Sequence, residues 1–166
     1  MTQEKTILVM DDDDAYLEVM QEVLDCLGYS SIFAKNGEEA LVVYKKAKES
    51  NKSLAAIILD LRIEKGINGE EGAKLLLAYD PKAKVIVSSG LSNHPMMIKP
   101  QDYGLQGVLL KPFGMPTLRT LLNKIFENQW AVFFVPKESK ASTANYRYEK
   151  KNHLSAGRAF LCSVCW

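Results

Sequence analysis

The pattern of apolar and polar positions changes period repeatedly along the first three quarters of the chain. Ile7-Leu8-Val9-Met10 is an unbroken apolar run, the signature of a strand covered on both faces. Leu17, Met20, Val23, Leu24 and Leu27 then recur at helical spacing, and Gly28 stops that helix. Ser31-Ile32-Phe33-Ala34 predicts a second, weaker strand. Asn36, with Glu39 three residues on, resembles a capping box opening a helix through Leu41 and Tyr44. Leu54 to Leu59 is the clearest strand and runs into Asp60. A glycine-containing loop, 64–69, leads to a helix through Leu75-Leu76-Leu77 that Asp80-Pro81 ends. Val85-Ile86-Val87 and Val108-Leu109-Leu110 predict the fourth and fifth strands. Between them Pro95 can open a helix, but Pro100 interrupts it. Leu118, Leu121, Leu122, Ile125 and Phe126 form the apolar face of a last helix.

Five strands alternating with helices predict an α/β fold: a flavodoxin-like, doubly wound, five-stranded parallel sheet of order 2-1-3-4-5, with helices on both faces. The expected organisation is one domain over residues 1–128 and a basic C-terminal tail over 129–166. That tail has six basic residues (Lys137, Lys140, Arg147, Lys150, Lys151, Arg158) against Glu138 and Glu149, a net of +4; the chain's +1 therefore leaves −3 for residues 1–128. Its apolar run Trp130 to Val135 is costly to expose and is expected to extend the last helix, add an edge strand or meet a partner. Cys162 and Cys165 form a C-x-x-C without the surroundings of a redox or zinc motif, and Cys26 is expected to be a small buried residue. The polar start, the odd cysteine count and the lack of any apolar run near the ~20 residues of a membrane span place the expected protein in the cytoplasm.

Sites in parallel sheets form beyond the carboxyl ends of the strands. Here those ends carry Asp11-Asp12, Asp60, Ser89-Gly90 and Lys111-Pro112. In the order 2-1-3-4-5 three carboxylates, a hydroxyl and an ammonium converge. Clustered carboxylates repel unless a cation compensates. An all-oxygen set with open positions suits Mg²⁺, which keeps waters and accepts phosphate oxygens. A carboxylate can attack phosphorus to form an acyl phosphate, and a lysine and a metal would neutralise the group in transfer. Taken singly, Asp11 to Asp14 could be only a charged helix start, with Asp13 or Asp14 as the cap, and Asp60 only a turn residue.

Taken together, Ile7-Leu8-Val9-Met10-Asp11-Asp12, Ile58-Leu59-Asp60, Val85-Ile86-Val87-Ser88-Ser89-Gly90 and Lys111-Pro112-Phe113 make residues 5–126 resemble response-regulator receiver domains, most of all those of hybrid histidine kinases. The resemblance implies that Asp60 accepts a phosphoryl group from a histidine kinase or histidine phosphotransfer domain. It implies that Asp11, Asp12, Asp60 and the backbone carbonyl of Arg62 hold Mg²⁺, that Lys111 pairs with the phosphoryl group, that Ser89 reorients toward it, and that Lys111-Pro112 is cis. Receivers often carry an aromatic residue three positions before the lysine and a proline in the loop after the phosphoacceptor; Val108 and Glu64 stand there.

The expected function is a phosphorylation switch rather than a stand-alone enzyme. The alternative is a receiver-like module that binds a partner without phosphorylation. A phosphohydrolase is disfavoured by Arg62, which stands where a second acid would protonate the leaving group. Nucleic-acid reading is disfavoured by a short tail without a helix-turn-helix. A homodimer is left open, and no membrane contact is expected.

Overall fold

A computed structural model describes residues 5–50, 52, 54–127 and 131–133 of the chain, the last three as backbone. Along it run β1 (Thr6–Met10), α1 (Asp14–Cys26), β2 (Ser30–Ala34), α2 (Gly37–Glu49), β3 (Leu54–Asp60), α3 (Gly69–Tyr79), β4 (Val85–Ser89), α4 (Pro95–Ile98), a 3-10 turn (Pro100–Tyr103), β5 (Gly107–Leu110), α5 (Met115–Phe126) and β6 (Ala131–Phe133). The sheet order is β2-β1-β3-β4-β5-β6, and all five pairings are parallel. The five expected strands stand in the expected order. A sixth, short strand pairs Ala131 with Gly107 and Phe133 with Leu109, so the sheet runs past residue 128. The basic segment beyond it, with Cys162 and Cys165, lies outside the described residues.

Strand side chains alternate between faces, and each face has its own core. Leu8, Met10, Ile57, Leu59, Val87 and Val108 pack under α2, α3 and α4, with Tyr44, Leu76, Met96 and Met97. Ile7, Val9, Ile58, Ile86 and Leu109 pack under α1 and α5, with Leu17, Met20, Leu24, Leu118 and Leu122. Burial on both faces is why these strands read as continuous apolar runs in the sequence.

The helix ends follow the local chemistry. Asp13 caps α1 by accepting the N–H groups of Ala15 and Tyr16; Asn36 caps α2 and Asn68 caps α3. At α2 the Asn36 side chain accepts the Glu39 N–H, while the Glu39 carboxylate reaches past the cap to accept the Lys35 N–H at 2.7 Å, so the expected capping box is displaced by one residue. Pro95 opens α4 and Pro100 prevents its continuation, leaving four residues of helix and a tight turn. Cys26 corrects an expectation: it is exposed. Two residues beyond Leu24 along the helix it lies about 200° round the axis, away from the buried stripe of Leu17, Met20 and Leu24.

Candidate functional site

The charged side chains meet above the carboxyl ends of β1, β3 and β5. Main-chain bonds into the neighbouring strand fix the chain there: Asp11 N–H to the Ala34 carbonyl (3.1 Å), Leu61 N–H to that of Ser88 (2.9 Å) and Lys111 N–H to that of Ser89 (2.8 Å). The Lys111-Pro112 bond is cis. Lys111 Nζ lies 2.7 Å from Asp11 Oδ2 and 3.2 Å from Asp60 Oδ2. One ammonium therefore bridges carboxylates from two strands.

Asp11 is the deepest acid, 3% exposed, and its Oδ1 accepts the Asp13 N–H at 3.0 Å. Asp12 Oδ2 accepts the Glu64 N–H at 2.8 Å, tying the β3–α3 loop across to the β1–α1 loop. Asp60 Oδ1 accepts the Arg62 N–H at 3.3 Å. Asp12, Asp60, Arg62, Glu64, Gly90 and Lys111 line an open pocket. Burial pushes the Asp60 carboxyl above its ordinary value; Lys111 and the Arg62 N–H pull it back, while Asp11 adds repulsion.

The loop that aims Asp60 admits no side chain at residue 69. A Cβ on Gly69 would stand 2.1 Å from the Asp60 carbonyl oxygen. The first turn of α3 thus seats directly on the backbone of Asp60.

Magnesium is commonly held by one or two carboxylates, waters and substrate oxygens rather than by an all-protein cage. The donors here fit that mode: Asp12 and Asp60 open into the pocket, and Asp11 sits beneath them. Among the described residues no three acidic, histidine or cysteine side chains form a ready-made metal cage.

The sequence matches the response regulator receiver domain over residues 7–123. The chain belongs to that family. It is 28% identical over 122 residues to the chemotaxis protein CheY of Thermotoga maritima, covering 73% of this chain and 97% of that one. It is 27% identical over 118 residues to sporulation initiation phosphotransferase F of Bacillus subtilis, covering 71% and 90%. Other curated relatives are larger, and the match spans 32% of one and 49% of another. In fold the chain is similar to the CheX-CheY-BeF3-Mg²⁺ complex from Borrelia burgdorferi: TM-score 0.67, 21% identity, 74% of this chain and 89% of that one.

Within this receiver the expected site residues divide. Asp11, Asp12, Asp60 and Lys111 come together. Ser89 ends β4 nearby but is 1% exposed, and its Oγ accepts the Leu91 N–H at 3.0 Å; Gly90, not Ser89, lines the pocket. Arg62 contributes its N–H to Asp60 and its flank to the pocket wall. Val108, three positions before Lys111, is fully buried in β5.

Three contributors escaped the sequence reading. Gly69 looked like any loop glycine. His94 carries no mark in the sequence pattern, yet it caps α4: Nδ1 accepts the Met96 N–H at 3.3 Å, leaving Nε2–H to face Glu70 Oε2 at 3.3 Å. Tyr16 places its ring 3.9 Å beneath Lys111 Nζ, and its signal was an aromatic in the first turn behind the acidic run. Among the described residues no helix is long and apolar enough to cross a membrane.

Proposed function

We propose that the chain is the phosphoacceptor of a two-component phosphorelay, with Asp60 receiving the phosphoryl group. The observation that carries this reading is the Lys111 ammonium shared between Asp11 and Asp60 at the mouth of an acidic pocket. An Asp60 oxygen attacks phosphorus, a P–N bond to a phosphohistidine breaks, and the imidazole leaves with the electron pair. Lys111 is within reach of a phosphoryl oxygen on Asp60 and can exchange a carboxylate partner for it. Mg²⁺ held by Asp11, Asp12, Asp60 and the carbonyl of Arg62 supplies charge neutralisation for the transferring group when bound. In this reading Ser89 exchanges the Leu91 N–H for a hydrogen bond to the new group, turning toward the pocket to do so.

The donor is a histidine kinase or a histidine phosphotransfer domain, and donor and receiver share the cytoplasm in this reading. Residues 1–128, with the added strand β6, act as the signalling unit. The similarity to a chemotaxis protein and to a phosphotransferase supports relay rather than catalysis of a separate reaction.

Intact-mass measurement after acetyl phosphate treatment tests this. One phosphoryl adduct is expected with Mg²⁺, little without it, and none in Asp60→Asn. A folded wild-type chain that never labels would point instead to a phosphorylation-independent binding module.

A further inference from the structure

Lys111 is held on three sides. Two are carboxylates, Asp11 and Asp60; the third is the face of Tyr16, with Nζ 3.9 Å from the ring centroid. That distance is well inside the ~6 Å range over which a ring quadrupole attracts a cation. The ring is there because of where Tyr16 sits. It lies in the first turn of α1, its N–H is accepted by Asp13 at 3.3 Å, and helical side chains lean toward the N-terminus, here toward the pocket. Beyond the ring, the Tyr16 hydroxyl is buried next to Ser88 Oγ.

The three contacts differ in what happens during phosphoryl transfer. A carboxylate that holds the ammonium competes with the incoming phosphoryl group for the same charge. A ring face competes far less, because its attraction is weaker and it occupies another side of the ammonium. Lysine otherwise has a long, freely rotating stem and no fixed direction. We infer that Tyr16 is a positioning residue for this reaction: its ring seats the Lys111 ammonium over the pocket while the ammonium passes from Asp11 and Asp60 to a phosphoryl oxygen. The inference rests on Asp60 being the phosphoacceptor.

The test is the rate of acylphosphate formation by the full chain with acetyl phosphate and Mg²⁺. Tyr16→Leu removes the ring and is expected to slow labelling roughly two- to thirty-fold, the span of one cation–π contact. Tyr16→Phe keeps the ring and restores the rate to within about threefold. In a Lys111→Ala background, where nothing remains to be seated, Tyr16→Leu adds no further loss. A wild-type rate in Tyr16→Leu, an equal loss in Tyr16→Phe, or an undiminished effect without Lys111 would overturn the assignment. A second measurement needs no variant and no phosphodonor: NMR of the wild-type chain should show the Lys111 ε-methylene protons shifted upfield by the ring current. Unshifted protons reject the seat even if Tyr16→Leu fails to fold. A wild-type chain that does not label, yet shows the shift, refutes the phosphoacceptor reading and leaves the seat standing.

Discussion

Two aspartates bracket α3, and their surroundings are opposites. Asp60, at the end of the strand that precedes the helix, is half-buried beside another carboxylate, and burial holds its carboxyl above the ordinary value despite Lys111. Asp80, just after it, accepts the Tyr44 hydroxyl at 2.7 Å and the Lys82 N–H at 3.0 Å and pairs with Lys48 at 2.6 Å. Lys48 first, then the Tyr44 hydroxyl, draw Asp80 from its ordinary 3.8 down to about 2. Fully satisfied charge ties α2 to the end of α3. Crowded, under-compensated charge surrounds Asp60, the oxygen donor proposed to react. The contrast is the one expected between a structural ion pair and a functional site.

The largest effect is expected from removing Lys111, the one cation among the described residues that pairs with Asp60. Lys111→Ala should slow acylphosphate formation by about a hundred-fold or more, the usual cost of losing one preorganised charge donor at a transferring group. Labelling kinetics with acetyl phosphate decide it; a loss of only a few-fold would mean that Lys111 serves structure alone. Next in size is Gly69→Ala. Its Cβ cannot coexist with the Asp60 carbonyl in the observed geometry. The β3–α3 loop must shift, at about 1–3 kcal/mol by chemical denaturation, with labelling of Asp60 impaired as well.

The aspartates themselves sharpen the contrast. Asp80→Ala leaves the Tyr44 hydroxyl, on a residue only 5% exposed, without its partner, and should cost about 1–2 kcal/mol. Asp60→Asn removes a repelled, half-buried charge and should leave the unfolding midpoint unchanged or raised. The smallest effect is in the acid limb of stability. A lowered carboxyl stabilises the fold above its unfolded value, so the Asp80 contribution is complete above about pH 4 and fades as pH falls toward about 2. A raised carboxyl has the opposite sign: the cost of burying charged Asp60 is relieved as pH falls through its folded value. Asp80→Asn should therefore flatten the acid limb, and Asp60→Asn should steepen it, each by less than about 1 kcal/mol.

How far the sequence spoke depended on the range of the interaction. Period and strand-end polarity reveal elements and their sheet, because both-face burial writes itself into consecutive apolar residues such as Val85-Ile86-Val87. The acid pair, Asp60 and Lys111 were legible because a parallel sheet puts its strand ends side by side whatever the loops do. What stayed hidden involved partners distant in sequence and unmarked by type. The exclusion of a side chain at Gly69 depends on the path of the Asp60 backbone, and the role of Tyr16 on where Lys111 comes to rest, nearly a hundred residues away. The sixth strand was one of several outcomes weighed for the apolar run from Trp130, since a lone short run cannot say which edge will accept it. Cys26 was misjudged from residue type, where its angle on α1 decides.

The reacting oxygen is proposed to belong to Asp60. Borohydride reduces an aspartyl phosphate to homoserine, so acetyl phosphate and Mg²⁺ treatment, reduction and peptide mass mapping locate the bond directly. Homoserine at position 60, and at no other aspartate, is the predicted result. Homoserine at Asp11 or Asp12, or phosphate retained on a hydroxyl such as Ser89 through the reduction, would contradict it.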